Sequence, residues 1–391
     1  MPEAFIVAAV RTAGGRRNGR LSGWHPVDLA AAVLNALVEK TGCDPALVDD
    51  VIMGCVSQAG EQSTNVARNA VMASKLPESV PGTSLDRQCG SSQQALHFAA
   101  QAVMSGSMDM VIAAGVESMS RVPMFTPSAL LEKYGLGTYM SPGIRKRYGG
   151  IEFSQFTGAE MIARKYGLTR DMLDSYALQS HQRAAHATQA GLFNDEILPL
   201  EARNASGEVS GMHTRDEGIR PDTTLAQIGS VKLLTEGGCI TAANASQICD
   251  GASGVMVANE RGLKALGVAP LARIHHMSVM GADPVIMLEA PIPATLRALK
   301  RAGLQIGDIE LAEVNEAFAP VPLAWAQATG ADPARLNARG GAIALGHPLG
   351  ASGTKLMATL VHALRQEKKR YGLQTMCEGG GMANVTIIER L

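Results

Sequence analysis

Aromatic residues are scarce in this chain: 7 Phe, 6 Tyr and 2 Trp among 391 residues. A core made without them depends on aliphatic side chains and close backbone approach. The 42 glycines and many alanines therefore read as close-packed α/β architecture with tight turns. Charge of one sign is missing too. With 35 Lys and Arg against 36 Asp and Glu, the net charge is −1, so no overall field draws in nucleic acid or an anionic membrane. An anionic small ligand would need local arginines. Cysteine is sparse: Cys43, Cys55, Cys89, Cys239, Cys249 and Cys377 show no C-x-x-C spacing, which argues against a structural zinc site, and no metal is expected. No apolar run approaches 18 residues, so no membrane span is expected. The opening Met1-Pro2-Glu3-Ala4-Phe5-Ile6-Val7 lacks the basic start of a secretory signal. These absences together predict a soluble protein of a reducing, cytoplasmic compartment. Gly340 to Gly346 lacks the G-x-G-x-x-G fingerprint, and no P-loop, zincin or G-x-S-x-G motif occurs.

What is present begins with alternation. Apolar runs at 5–10, 51–56 and 110–115 read as strands; between them, 28–40 and 91–104 carry helical spacing, the latter through Ala95, Leu96, Phe98, Ala99, Ala102 and Val103. The C-terminal third repeats the order. Strand-like runs at 272–279, 309–314 and 383–388 frame helix-like runs at 293–302 and 354–365. Such alternation argues for layers of sheet and helix. Spacing strengthens the repeat: Asp50 precedes Cys89 by 39 residues, and Asp308 precedes His347 by the same 39. We read an internal duplication with one reactive turn per half. Residues 120–247 fit neither half. They carry the charge cluster Arg145-Lys146-Arg147 and a helical pattern over 172–189, and read as an inserted region that covers a site.

Three glycine-bearing segments carry reactive side chains: Gln88-Cys89-Gly90-Ser91-Ser92, Gly340 to Pro348 with His347, and Cys377-Glu378-Gly379-Gly380-Gly381. A lone cysteine is more often an inert core residue. Cys89, however, directly precedes a helix start, where free N–H groups favour a thiolate and can hold an oxyanion. His347 is the candidate base; Pro348 after it disfavours αR at that position, and the surrounding glycines fit a shaped turn better than a core histidine. Cys377 alone is ambiguous between a reactive group and a strand cysteine before a flexible turn. Gly379 and Gly380 could bring backbone N–H groups to a reacting carbonyl. Asn315 and Glu316 could orient a water or side chain, or cap a helix.

Taken together, these segments resemble the thiolase family. Gln88-Cys89-Gly90-Ser91, Asn315-Glu316-Ala317-Phe318, the run Gly340 to Pro348, and Cys377 with Gly379-Gly380-Gly381 match its motifs in order and spacing, and the resemblance spans essentially the whole chain. It implies an α/β duplicated thiolase fold, with a five-layered α-β-α-β-α core and an inserted loop domain. The N-terminal half would take 1–119 and 248–268, the loop domain 120–247, and the C-terminal half 269–391. It implies acyl-CoA substrates, coenzyme A as co-substrate with no permanently bound cofactor, and a homodimer or homotetramer. By this resemblance Cys89 attacks a 3-ketoacyl-CoA, His347 takes its proton and Cys377 protonates the departing enolate. Asn315 (through a water) and His347 would surround the enolate oxygen, and the N–H groups of Cys89 and Gly379 would form a second oxyanion hole. Arg220 and Ser246 match coenzyme A contacts, and Ala317 and Phe318 would wall the acyl pocket; Arg220 reads equally well as a plain loop charge.

The resemblance favours 3-ketoacyl-CoA cleavage of the degradative, β-oxidation kind. An acetoacetyl-CoA thiolase working in the condensing direction and a non-catalytic acyl-CoA- or lipid-binding relative are the alternatives. Decarboxylating and condensing relatives place His or Asn where this chain has Cys377. Acetoacetyl-specific members carry His-Met ahead of a Gly-x-x-Ala-Glu stretch. Here Ser154-Gln155-Phe156 precedes Ala159-Glu160, which favours a longer or bulkier acyl group. Glu378 stands where the family often has an apolar residue.

Overall fold

The structure, a computed structural model, describes residues 2–391; Met1 lies outside the described residues. Nine strands carry the fold: β1 Phe5–Thr12, β2 Asp50–Gly54, β3 Gly82–Leu85, β4 Met110–Ser118, β5 Cys249–Ala258, β6 Ala272–Gly281, β7 Leu311–Val314, β8 Tyr371–Glu378 and β9 Met382–Arg390. Eight helices matter most: α1 Pro26–Thr41, α2 Val66–Met72, α3 Ser91–Ser105, α4 Gln155–Lys165, α5 Arg170–Gln189, α6 Pro291–Ala302, α7 Pro320–Thr329 and α8 Ser352–Gln366.

Hydrogen bonding links the nine strands in the order β7-β8-β9-β6-β1-β5-β4-β2-β3. Read from either edge, the two halves repeat one another. β2 and β4 run parallel, β4 and β5 antiparallel, β5 and β1 antiparallel. β7 and β8 run parallel, β8 and β9 antiparallel, β9 and β6 antiparallel. The counterpart of edge strand β3 shrinks to one parallel bridge, Ala312 to Leu336. The halves join where β1 pairs antiparallel with β6, Phe5 opposite Arg273 and Ile6 opposite Ala272.

Three apolar clusters give the layering. One packs α1 and α2 against the outer face of the N-terminal sheet, through Leu29, Leu34, Leu37, Val66 and Met256. A second, with Leu96, Val103, Met357 and Leu360, lies between strands of both halves. The third packs α6 and α7, with α4 and α5 beyond them, against the outer C-terminal face through Trp325, Leu299 and Ile387. Helices α3 and α8 thus form the central layer of a five-layered α-β-α-β-α core.

The central position explains one difference from the sequence reading. Phe98, placed on the apolar face of α3, is 42% exposed, whereas Gln93, Gln94 and His97 are buried. Helix α3 buries a polar stripe beside its apolar one because it also meets the second half through hydrogen bonds. Gln93 Nε2 donates to Thr386 Oγ1 at 2.8 Å, and His97 Nε2 meets the same hydroxyl at 2.7 Å. Among the described residues no helix is long and apolar enough to cross a membrane.

Candidate active site

Cys89 stands two residues before α3 on a strained turn. Gln88 has φ +49°, in the left-handed region that L side chains rarely adopt. Asp86 holds that turn, accepting from the Gln88 N–H at 2.6 Å. Ser91 closes it, its Oγ donating to the Gln88 carbonyl at 2.6 Å and accepting the Arg87 N–H at 2.9 Å. The N-cap, Gly90, provides no side-chain cap, so the first N–H groups of α3 are not consumed by one.

His347 lies on the equivalent turn of the second half, two residues before the 3-10 segment Leu349–Ala351 that runs into α8. The two turns interlock. Thr354 N–H donates to Ser92 Oγ at 3.0 Å, and a Cβ at Gly353 would collide with the Gln93 backbone. Leu349 packs with Cys89, Met119, Leu356 and Met376. Glu117 fastens the loop to the N-terminal half, accepting from the Gly350, Val56 and Ser57 N–H groups at 2.9–3.0 Å and from Gln62 Nε2 at 2.9 Å.

The imidazole tautomer follows from its neighbours. Ser352 Oγ donates its one proton to the Pro348 carbonyl at 2.8 Å. At 2.5 Å from His347 Nδ1, the hydroxyl can then only accept, so Nδ1 carries the hydrogen. Nε2 is left as an acceptor, 3.3 Å from Asn315 Nδ2. Asn315 is anchored by its own N–H to the Thr375 carbonyl at 3.0 Å, and its buried Oδ1 has no partner.

Cys377 is the penultimate residue of β8, opposite Ala383, so it sits on a strand rather than on the glycine turn. Gly379 follows in the turn, where a Cβ would come 2.8 Å from Gln88 Oε1, which places it beside the Cys89 segment. Cys89 and His347 are 4% exposed, Asn315 1%, Cys377 0%. Burial therefore governs the ionisable groups. Burial, then the charge of Glu378, pushes the Cys89 thiol up to about 12. Burial, then the charge of Lys355, pulls the His347 imidazole down to about 3. Burial, then the charge that Cys89 carries whenever it is a thiolate, holds Cys377 well above its ordinary value. The helix-terminus thiolate expected from sequence is thus outweighed: the resting pair is neutral thiol and neutral imidazole, with the acceptor nitrogen already bare.

The structure joins a second group of residues singled out in the sequence. Ser246 N–H donates to the Ala317 carbonyl at 3.0 Å, and Ala245 bridges to Phe318. The Phe318 ring meets Phe156 edge-on at 5.5 Å. Arg220 is exposed, and its N–H donates to His181 Nδ1 at 3.2 Å. Glu316 does not cap a helix: α7 begins at Pro320, and its N-cap, Ala319, makes no side-chain cap. The Glu316 carboxylate instead accepts from Tyr176, Ser180, Asn337 and the Ile343 N–H at 2.7–3.2 Å, clamping the Gly340–Gly346 turn to α5.

Sequence reasoning missed Ser352, Glu117 and Lys355. Lys355 is buried and donates to the Leu345 and Gly346 carbonyls at 2.7 and 2.9 Å, holding the turn just before His347. The available signal was its setting, a lysine inside the otherwise uncharged stretch Ser352-Gly353-Thr354-Lys355-Leu356-Met357.

A thiol just before a helix terminus, an imidazole with a bare nitrogen on the interlocked turn of the second half and a second buried thiol are the groups that acyl transfer through sulfur requires. Comparison with known proteins agrees. The model of the thiolase N-terminal domain matches residues 4–261, and that of the thiolase C-terminal domain residues 268–390. The chain belongs to the thiolase family. It is 52% identical to the steroid 3-ketoacyl-CoA thiolase FadA6 of Mycobacterium tuberculosis, over all of this chain and 95% of that one. It is 42% identical to a beta-ketoadipyl-CoA thiolase of Escherichia coli over the full length of both. The human mitochondrial 3-ketoacyl-CoA thiolase structure superposes with a TM-score of 0.89 at 36% identity, covering 100% of this chain and 99% of that one. The same human enzyme in complex with CoA gives 0.88, covering 100% and 98%.

Proposed function

We propose that this acyltransferase works as a degradative 3-ketoacyl-CoA thiolase, with Cys89 as acyl carrier. It cleaves a 3-ketoacyl-CoA with coenzyme A into acetyl-CoA and an acyl-CoA two carbons shorter. His347 Nε2 takes the Cys89 proton as sulfur attacks the 3-keto carbon, and the C2–C3 bond breaks. Cys377 gives its proton to the acetyl-CoA enolate, a strong base that needs both an acid and an oxyanion pocket. Asn315 and His347 border the enolate oxygen; the Cys89 and Gly379 N–H groups face the second oxyanion. Coenzyme A, giving its thiol proton to the Cys377 thiolate beside His347, then attacks the Cys89 thioester and releases the acyl group, and His347 returns its proton to the departing Cys89 sulfur. The observation that carries this reading is the fixed tautomer of His347, whose bare Nε2 faces Asn315 across the interlocked turns.

Arg220 and Ser246 are assigned to coenzyme A, with Ala317 and Phe318 walling the acyl end. The Phe156–Phe318 contact, the Ser154-Gln155-Phe156 segment and the 52% identity to a steroid thiolase support a bulky acyl group, fatty or ring-bearing. We assign 120–247 as the loop domain between halves of 1–119 with 248–268 and of 269–391. The exposed apolar side chains Phe125, Tyr134, Leu136 and Tyr139 support assembly with further copies, as a dimer or tetramer. A cytoplasmic location fits six free cysteines.

The test is acyl transfer from a panel of 3-ketoacyl-CoAs, from acetoacetyl to ring-bearing, to coenzyme A. Cys89→Ala is expected to abolish turnover and the acyl adduct that mass spectrometry detects on the Cys89 peptide. Turnover surviving in that variant would sink the mechanism.

A further inference from the structure

Glu378 ends β8 beside both reactive cysteines, and the mechanism above does not use it. Alternation along the strand turns Gln374, Met376 and Glu378 toward the central helices, while Leu373 and Cys377 face the outer core. Glu378 therefore approaches the Cys89 turn from behind. A methyl at Gly90 would land on its carboxylate, so glycine at that position leaves the acid in contact with the turn. The side chain is 0% exposed, and neither carboxylate oxygen has a partner.

The other acids acting on Cys89 have donors. Asp86 accepts from the Gln88 N–H and side chain. Glu117 accepts three backbone N–H groups and Gln62. Around Glu378 stand Arg87 from the turn, Cys377 on its own strand, and Met382 and Asn384 from β9; the Asn384 side chain is itself held by Gln94 and His97 of α3. Arg87 is the nearby cation, yet its Nε is also buried without a partner and its Nη1 rests against Met382 Sδ at 3.8 Å. An unpaired buried carboxylate is costly, and a neutral acid avoids that cost.

We propose that Glu378 is a positioning residue for Cys89: a carboxylic acid behind the nucleophile's turn that stays protonated while Cys89 reacts, and whose ionisation withdraws Cys89 from reaction. This rests on the reading of Cys89 as the acyl carrier. Burial lifts the carboxyl to about 8 against the pull of Arg87 and of the Asn384 N–H, which lies nearby without closing a hydrogen bond, and its charge is the strongest push on the thiol after burial itself. Below that pH the acid is neutral and leaves the thiol alone. Above it, the carboxylate opposes formation of the thiolate a few atoms away.

The experiment measures iodoacetamide alkylation of the Cys89 peptide by mass spectrometry from pH 6 to 10, in the full-length wild type and Glu378→Gln. The expected rates coincide below pH 7, and by pH 9.5 the variant reacts about tenfold faster, the effect of one like charge on a neighbouring thiol. The alkaline limb of kcat/KM should extend upward in the variant in parallel. Profiles that superimpose across the whole range overturn the proposal. Glu378→Asp draws the carboxyl back from Gly90 by one methylene and should fall between the two; if Glu378→Gln does not fold, an Asp profile identical to wild type overturns it alone. Alkylation is read without turnover, so failure here is distinct from failure of the acyl-carrier role, which the Cys89→Ala assay decides.

Discussion

Ser352 has a single hydroxyl proton, and the Pro348 carbonyl takes it. That leaves the hydroxyl as the acceptor that holds His347 in the Nδ1–H form. Replacing it with alanine removes the acceptor while leaving the imidazole buried between α8 and Asn315. Ser352→Ala should lower kcat by about tenfold to a hundredfold with little change in KM, a part of the effect of a general base. Ser352→Thr, which keeps the hydroxyl, should recover most of it. Steady-state kinetics on a 3-ketoacyl-CoA decides the matter: equal kcat for Ala and Thr variants would mean that the hydroxyl does not set the tautomer. Glycine turns singled out Cys89 and His347 in the sequence, whereas Cys377 and Asn315 stayed ambiguous until read together with the family's motifs. Ser352 and Lys355 were not legible there. Serine at a helix start reads as a cap and lysine in a helix as a solvated charge; only the central burial of α8 makes either one a support for the base.

Helices α3 and α8 differ from the outer helices in what they bury. The outer helix α1 hides Leu29, Leu34 and Leu37, as its periodicity foretold. Helix α3 also hides Gln93, Gln94 and His97, so apolar periodicity found Ala95, Leu96, Ala99 and Val103 but missed the buried polar stripe and put Phe98 inside. His97 is wedged between Thr386 Oγ1 at 2.7 Å and Asn384 Nδ2 at 3.1 Å. Burial, then the Arg87 charge, depresses it to about 3, below the unfolded value of about 6.5. The sign follows: the folded state binds fewer protons, so its contribution is intact above pH 6.5 and is lost as pH falls toward 3. At pH 5 the loss from this one group is about 2 kcal/mol. The melting temperature of the wild type should drop between pH 7 and pH 5, and that drop should be smaller in His97→Gln. Equal drops, followed by circular dichroism, would count against His97 as the acid-sensitive contact between the halves.

At the scale of the whole molecule, the equal 39-residue spacings were the sequence's trace of a duplication that the strand order displays. What spacing did not disclose was the edge. Strand β3 is four residues, Gly82–Leu85, three half-buried and one exposed, and its counterpart is a single bridge at Leu336, both too short to carry a periodic signal. Strand β5, CDGASGVMVA and buried throughout, shows no alternation because both of its faces are covered. The duplication has a mechanical consequence. Since α3 and α8 bury side chains against strands of both sheets, neither half keeps a complete core without the other. Leu96 lies in that shared layer at 0% exposure, in one cluster with Val111 and Val255 of the first half and Leu311 and Ile388 of the second. Leu96→Ala should cost about 2–5 kcal/mol through the cavity it leaves. If the layer couples the halves, that cost must surface in both. Hydrogen–deuterium exchange should rise in β4, Met110–Ser118, and also in β9, Met382–Arg390, although Leu96 belongs to the first half. Faster exchange confined to the first half would mean that the two duplicated units fold as separate bodies that merely touch. The His347 turn would then be free to move against Cys89, and the interlock at Gly353 could not hold base and nucleophile in register.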